Sequence, residues 1–193
     1  MKRSFNTLTL ALIPVAIAIN IAIGQIVVLL KLPIYLDSIG TVLVGMLAGP
    51  LAGLLTGALS NLIWGLSGLN PTYTPFFYVA AVIGLLAGIF TQIGWAKKVW
   101  MWGLGGLITG VVAAIISAPT SAIVFGGVTG AGTDLIVAAL RASGAGIMQA
   151  TFGQGIVSDP LDKLATFLVV FLIVLALPLR LRLRFPMSDK LPK

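Results

Sequence analysis

Residues 38–96 read SIGTVLVGMLAGPLAGLLTGALSNLIWGLSGLNPTYTPFFYVAAVIGLLAGIFTQIGWA, a run of 59 residues without Asp, Glu, Lys or Arg. Three further charge-free segments cover residues 4–30, 99–133 and 164–179. A helix needs about 20 apolar residues to cross the hydrocarbon core of a bilayer, so these segments have room for four or more crossings. The sequence therefore predicts an all-α integral membrane protein.

The composition excludes several classes of protein. Apolar residues make up 59% of the chain and charged residues 9%, whereas soluble domains are roughly a quarter charged. The net charge of +7 does not indicate a nucleic-acid partner, because the basic residues lie in short clusters that are typical of cytoplasmic flanks of membrane spans. The chain has no Cys and no His, which removes thiol chemistry, His-based catalysis and His metal ligands.

No nucleotide-binding or catalytic motif is apparent. The glycine-rich run over residues 126–134, GGVTGAGTD, lacks the Gly-Lys-Ser/Thr ending of a phosphate-binding loop. The pair formed by Asp159 and Asp162 is too small a constellation for an intramembrane enzyme. We therefore expect no enzyme, no cofactor and no metal, and active transport would need energy from another polypeptide.

The number of spans stays open on the residues alone. Gly49-Pro50 is either a turn, which makes residues 39–48 a half-length helix that must be packed inside protein, or a kink in one long span over 38–66. Six spans with both termini inside place nine basic residues in the cytoplasm and three outside. Five spans with the N-terminus outside give eight against four, which is nearly as good.

Two aspartates have both a structural and a functional interpretation. Asp37 lies between two spans, where it can face a cavity or cap the helix that begins near Ser38. Asp159, in Ser158-Asp159-Pro160, is typical of a helix start with proline near the first position.

Amides and tyrosines in the spans are similarly ambiguous. Asn61 either joins two helices or belongs to a site. Tyr35, Tyr73 and Tyr78 map to the outer half, where they either form an interfacial aromatic belt or stack on a flat ligand.

Short motifs that all resemble one protein family extend over most of the chain. They are residues 32–41 (LPIYLDSIGT), 49–53 (GPLAG), 55–57 (LTG), Asn61, 70–72 (NPT), 115–119 (IISAP), 125–130 (FGGVTG), 132–134 (GTD) and 158–163 (SDPLDK). Together they resemble the substrate-binding S components of energy-coupling factor (ECF) transporters.

The resemblance implies a single domain over 1–193 with six transmembrane helices, the second one short, and cytoplasmic N- and C-termini. It favours a turn at Gly49-Pro50. The spans would cover about 6–30, 39–49, 51–67, 75–95, 99–125 and 159–178, and an outer loop would cover 126–158.

The resemblance also implies a function. A vitamin or related small heterocyclic molecule would bind at the outer face of a prokaryotic plasma-membrane protein, which topples in the bilayer to release it. The partners would be a transmembrane T component, contacted by Ala18 and Ala22 on the first helix, and two cytoplasmic ATPase subunits. The binding residues implied in this way are Tyr35, Asp37, Asn70, Tyr73, Phe76, Ser117, Thr120, Asp134, Gln154 and Asp159.

Two other functions compatible with the residues are a membrane sensory module that acts with a separate signalling protein and a self-sufficient small permease. Dependence of uptake on ATPase subunits would distinguish the permease from the importer.

Overall fold

The computed structural model describes residues 5–192, and every regular element in that range is helical. Three short 3₁₀ segments, Pro71–Phe76, Trp95–Lys97 and Ser188–Lys190, connect or follow the α-helices. The α-helices are α1 (Thr7–Leu29), α2 (Ile39–Ala48), α3 (Pro50–Leu66), α4 (Phe77–Gln92), α5 (Val99–Phe125), α6 (Asp134–Ala142), α7 (Ile147–Ala176) and α8 (Leu179–Arg182). The prediction of an all-α chain is confirmed.

Three segments are long and apolar enough to cross a membrane, namely Thr7–Leu29, Pro71–Gln92 and Val99–Phe125. The outer faces of the helices are apolar as well. On α3 the exposed side chains recur every three or four residues, as Leu51, Leu55, Leu59, Ile63 and Leu66. Such a continuous apolar surface is typical of contact with lipid rather than with water. The architecture is consistent with a helical membrane protein.

The short helix α2 lies at the centre of the bundle, and all ten of its residues are buried. It ends at Gly49, whose φ of 103° and ψ of 178° reverse the chain, and Pro50 is the first residue of α3. Glycine adopts this positive φ without steric cost, and proline suits the first helical position because it has no N–H to satisfy. Gly49-Pro50 is therefore a turn and not a kink.

One buried amide joins the first three helices. The Asn20 side chain donates to Thr41 Oγ1 at 2.8 Å and to Ser60 Oγ at 2.9 Å, and its oxygen accepts from the Gly40 backbone N–H at 2.7 Å. These bonds use both amide hydrogens and the carbonyl oxygen of a side chain that is completely buried. A buried polar group that is satisfied in this way stabilises the packing of its helices.

The N-terminal and C-terminal segments meet at one end of the bundle, which we call the tail end. The side chain of Asn6 donates to the Arg184 carbonyl at 3.0 Å, and the Met187 N–H donates to the Leu47 carbonyl at 3.1 Å. The Trp95–Lys97 segment contacts the Ser188–Lys190 segment at the same end. Helices α1 to α5 and α7 consequently alternate in direction between the tail end and the opposite end.

The expected outer loop over 126–158 is wrong in its extent. Only residues 126–133 and 143–146 lack helical structure there, because α6 occupies Asp134–Ala142 and α7 begins at Ile147. The interpretation of Ser158-Asp159-Pro160 as a helix start is wrong for the same reason, since Asp159 lies twelve residues after Ile147. Charged residues lie inside α7 because they are paired with one another and with the loop after α1.

Pro160 is accommodated inside α7 by close packing on α5. A Cβ atom added to Gly110 would collide with the backbone of Asp159 and Pro160. Because glycine has no side chain, the α5 backbone approaches the place where proline interrupts the hydrogen bonds of α7.

Candidate functional site

A cavity opens at the end of the bundle opposite the tail end, which we call the cavity end. Its walls come from the loop after α1, from α3, from the 3₁₀ segment Pro71–Phe76, and from α4, α5 and α7. It encloses about 770 Å³ of atom-free space, counting the open mouth. Buried side chains of α4 and α5, including Ile83 and Ala113, form its apolar part.

The cavity brings together eight of the ten predicted site residues. They come from segments as distant as residues 35 and 159, and they lie on three different elements and in two connecting loops. The eight are Tyr35, Asp37, Asn70, Tyr73, Phe76, Ser117, Gln154 and Asp159.

The other two predicted residues, Thr120 and Asp134, do not line the cavity. The Thr120 hydroxyl is hydrogen-bonded to the hydroxyl of Tyr78, which also donates to the Ile116 carbonyl at 2.9 Å. Thr120 therefore joins α5 to α4, three residues beyond the cavity residue Ser117.

Asp134 holds the loop before α6. Its carboxylate accepts hydrogen bonds from the backbone N–H groups of Thr129 and Gly130, at 3.0 and 2.7 Å, and from the Thr129 hydroxyl at 2.9 Å. Because Thr129 itself lines the cavity, Asp134 acts by positioning this loop.

A buried ion cluster closes the cavity on the side of α7. Lys163 Nζ contacts Asp162 Oδ2 at 2.5 Å, donates to Ser38 Oγ at 2.8 Å and lies 3.5 Å from Asp37 Oδ1. The other oxygen of Asp162 accepts from the backbone N–H groups of Tyr35 and Leu36 at 2.9 and 2.8 Å. The cluster thus ties the loop after α1 and the start of α2 to α7.

A second chain of polar groups leads from α7 to the loop before α6. Ser158 Oγ donates to Asp159 Oδ1 at 3.1 Å, and Gln154 Nε2 donates to Ser158 Oγ at 2.6 Å and to the Tyr35 hydroxyl at 3.0 Å. The Tyr35 hydroxyl also lies 3.0 Å from Thr133 Oγ1. The chain holds the side chains of Tyr35 and Gln154 in one orientation at the cavity wall.

Burial changes the acid–base behaviour of the loop residues that face the cavity. It raises the pKa of Asp37 above the usual range for aspartate, although the ammonium of Lys163 opposes this rise. It also raises the pKa of Tyr35, and the nearby carboxylate of Asp159 adds to this effect. Tyr35 is therefore a neutral hydroxyl and not a phenolate.

Several polar atoms at the cavity have no hydrogen-bond partner within residues 5–192. Asp159 is 5% exposed, and no described residue donates to its second carboxylate oxygen. The side chains of Asn70 and Ser121 line the cavity without a described partner, and Asn61 uses only its amide nitrogen, to the Phe76 carbonyl at 3.2 Å. These atoms are available to a bound molecule.

Aromatic rings form part of the cavity lining, which we call the aromatic wall, and further rings stack against them. The ring of Tyr73 stacks on completely buried Trp64 with centroids 3.7 Å apart, and Trp64 Nε1 donates to Gln25 Oε1 at 3.1 Å. Phe76 stacks on Phe125 with centroids 5.7 Å apart. Tyr73 and Phe76 therefore face the cavity, whereas Tyr78 serves the contact between α4 and α5.

Lys163 is the main cavity residue that the sequence reasoning did not nominate. On a helix it lies four residues after Asp159 and so shares its face. That signal was lost because Asp159 was interpreted as a helix cap. Asn61 has both roles that the sequence left open, since it joins α3 to the Phe76 carbonyl and also lines the cavity.

Within the described part of the chain, no group of three or more His, Cys, Asp or Glu residues is arranged to hold a metal ion. The arrangement suits a small organic molecule, because the lining combines aromatic rings with carboxylate, amide and hydroxyl groups. Comparisons of this chain with protein-family models, with curated proteins and with solved structures found no match.

Proposed function

We propose that this chain is the substrate-binding S component of an ECF-type importer in a prokaryotic plasma membrane. It binds a vitamin-like small molecule in the cavity and carries it across the bilayer by toppling, with energy from two partner ATPases and through contact with a transmembrane T component. The observation that carries the proposal is the cavity itself, which collects eight of the residues that the motif resemblance implied for substrate binding.

The helix directions support six crossings with both termini on one side. Six helices alternate between the two ends of the bundle, and residues 6 and 184 are in contact at the tail end. The short α2 is tolerated at membrane depth because it is buried entirely in protein.

The distribution of basic residues supports a cytoplasmic tail end. The tail end carries Lys97, Lys98 and the arginines of the segment from Arg180 to Arg184, whereas the cavity end carries Lys31, Arg141 and Lys163. Lysine and arginine accumulate on the cytoplasmic side of membrane proteins. The cavity then opens to the exterior, where an importer must capture its substrate.

Close packing at the tail side of the cavity favours a binding pocket over a channel. A Cβ added to Gly84 would collide with the backbone of Gly53, so α3 and α4 are in direct backbone contact one residue beyond the cavity residue Ile83. This contact closes the space between α3 and α4 to a permeating molecule.

The first helix offers a surface for the T component. Ala18 and Ala22 are exposed on the outer face of α1 and lie one turn apart. Small residues at this spacing let a second helix approach closely in a membrane.

The test is uptake by cells that contain this chain with and without the ATPase and T subunits. The substrate is first identified by native mass spectrometry of protein purified from rich medium. We expect uptake only with the complete set of subunits. Uptake that persists without the ATPases would contradict the proposal and favour a permease.

Two matched variants separate binding from coupling. Ala18→Trp together with Ala22→Trp should retain the bound molecule but lose uptake, because the bulky rings block the approach of the T component. Leu59→Trp, on the exposed face of α3, is the control and should keep both. If the variant with tryptophan at positions 18 and 22 shows the same uptake as the control, α1 is not the surface that contacts the T component.

A further inference from the structure

The cavity is lined by more acidic than basic side chains. The carboxyl groups of Asp37 and Asp159 and the ammonium group of Lys163 line it, and that ammonium is already paired with Asp162, which lies outside the lining. Asp162 is the main partner of this ammonium, because its Oδ2 lies 2.5 Å from Lys163 Nζ. The Oδ1 atom of Asp37 lies farther from Lys163 Nζ, at 3.5 Å.

Lys163 is not available to an anionic ligand. Its ammonium has three hydrogens, and three oxygens from Asp162, Ser38 and Asp37 surround it. Lys31 is directed away from the ion cluster, since its ammonium donates to the Gly130 carbonyl at 2.6 Å and its side chain is exposed. An anion at the cavity would therefore meet carboxylates without a free basic partner.

Asp159 is the group that most needs a positive partner. It is 5% exposed, lies within 4.0 Å of no basic nitrogen in the described chain, and has one oxygen that accepts no hydrogen bond. A buried carboxylate of this kind is costly unless it is paired. A ligand that brings a positive charge to this oxygen gains binding energy that an uncharged molecule of the same shape does not.

The aromatic wall also favours a ligand that carries a positive charge. Tyr73 lines the cavity with Trp64 stacked on one face of its ring, and Phe76 lines the cavity as well. A ring face attracts cations through its quadrupole, and the effect is larger in a site with little water.

We propose that the ligand of this cavity is a small aromatic or heteroaromatic cation, whose charge lies beside the carboxylates of Asp159 and Asp37 and whose ring packs on Tyr73 and Phe76. The proposal rests on the proposed function, of which it names the substrate class.

The test compares three probes of nearly equal shape on the full chain purified in detergent. They are 1-methylnicotinamide, which is a cation, 3-methylbenzamide, which is its uncharged analogue, and 3-methylbenzoate, which is an anion. The measurement is the rise in melting temperature and the dissociation constant from its dependence on probe concentration. We expect the cation to bind at least about tenfold more tightly than either other probe.

Asp159→Asn keeps the shape of the side chain and removes its charge. This variant should lower the affinity for 1-methylnicotinamide about tenfold to a hundredfold and leave 3-methylbenzamide unaffected. Asp189→Asn is the matched control, because Asp189 is an exposed carboxylate in the tail segment, remote from the cavity. It should leave both affinities unchanged.

Two results would overturn the proposal. One is a preference of the unsubstituted protein for the uncharged or anionic probe, or no stabilisation by the cation. The other is an equal effect of Asp159→Asn and Asp189→Asn on the cation. Neither result bears on the importer function, which is lost only if uptake does not depend on the ATPases.

Discussion

Two groups of buried polar side chains differ in how completely they are satisfied. The amide of Asn20 uses every donor and acceptor that it has, within α1, α2 and α3. Asp159 is nearly as well buried but keeps one oxygen free at the cavity. A free oxygen on a buried carboxylate at a cavity is a place where a bound molecule can supply the missing partner, whereas a satisfied amide holds helices together. The comparison distinguishes a structural residue from a candidate binding residue in a chain where both are polar and buried.

The largest effect is expected from Lys163→Met, which removes the positive centre of the ion cluster. Asp162 and Asp37 are left buried without their partner, so the free energy of unfolding should fall by about 3–5 kcal/mol. Denaturant titration in detergent measures this change. The double variant Asp162→Asn with Lys163→Met should recover part of the loss, since the uncompensated charge of Asp162 is gone while that of Asp37 remains. If the double variant is no more stable than the single one, the cluster does not act through charge pairing.

A smaller loss, of about 2–3 kcal/mol in the free energy of unfolding, is expected from Asn20→Leu. The substitution leaves Thr41, Ser60 and the Gly40 N–H without a partner for the bonds that Asn20 makes. Asp159→Asn, measured in the same way without ligand, should cause no loss because it removes a buried charge. A larger loss from Asp159→Asn than from Asn20→Leu would reverse the assignment of the two groups.

The smallest expected change in the free energy of unfolding distinguishes the role of Tyr78 from that of Tyr73. Tyr78→Phe should lower the free energy of unfolding by about 1 kcal/mol, because the Tyr78 hydroxyl bonds both Thr120 and the Ile116 carbonyl. Tyr73→Phe should change it by less than about 0.5 kcal/mol, because no described residue bonds the Tyr73 hydroxyl. Thermal unfolding of the two variants in the same detergent measures both changes in stability. Equal losses would mean that the Tyr73 hydroxyl is also structural.

Much of the fold could be predicted because it depends on local composition. The charge-free runs predicted helices close to α1, α4 and α5, and Gly49-Pro50 predicted a break where α2 ends. The last helix was placed too late, with its start at Asp159, because Ser158-Asp159-Pro160 is typical of a helix start. The helix in fact begins at Ile147, and the close packing of α5 that accommodates Pro160 inside it is not visible in the local pattern.

The site was predicted in outline but not in its details. Ser117 and Thr120 are one helical turn apart, yet one faces the cavity and the other faces Tyr78. The direction of a hydroxyl on α5 depends on where α4 lies, which no local pattern contains. Asp134 likewise does not line the cavity, because its carboxylate accepts hydrogen bonds from the turn residues Thr129 and Gly130.

The sequence by itself determined that this chain is helical and apolar on its outside, because those properties follow from the composition of each segment. Only the tertiary structure decided which polar residues are satisfied and which remain free. Lys163 meets Asp37 and Ser38 across 126 and 125 residues of chain, and the Tyr35 N–H meets Asp162 across 127. Contacts at such separations depend on how α7 packs against the loop after α1, and that packing is a property of the whole bundle.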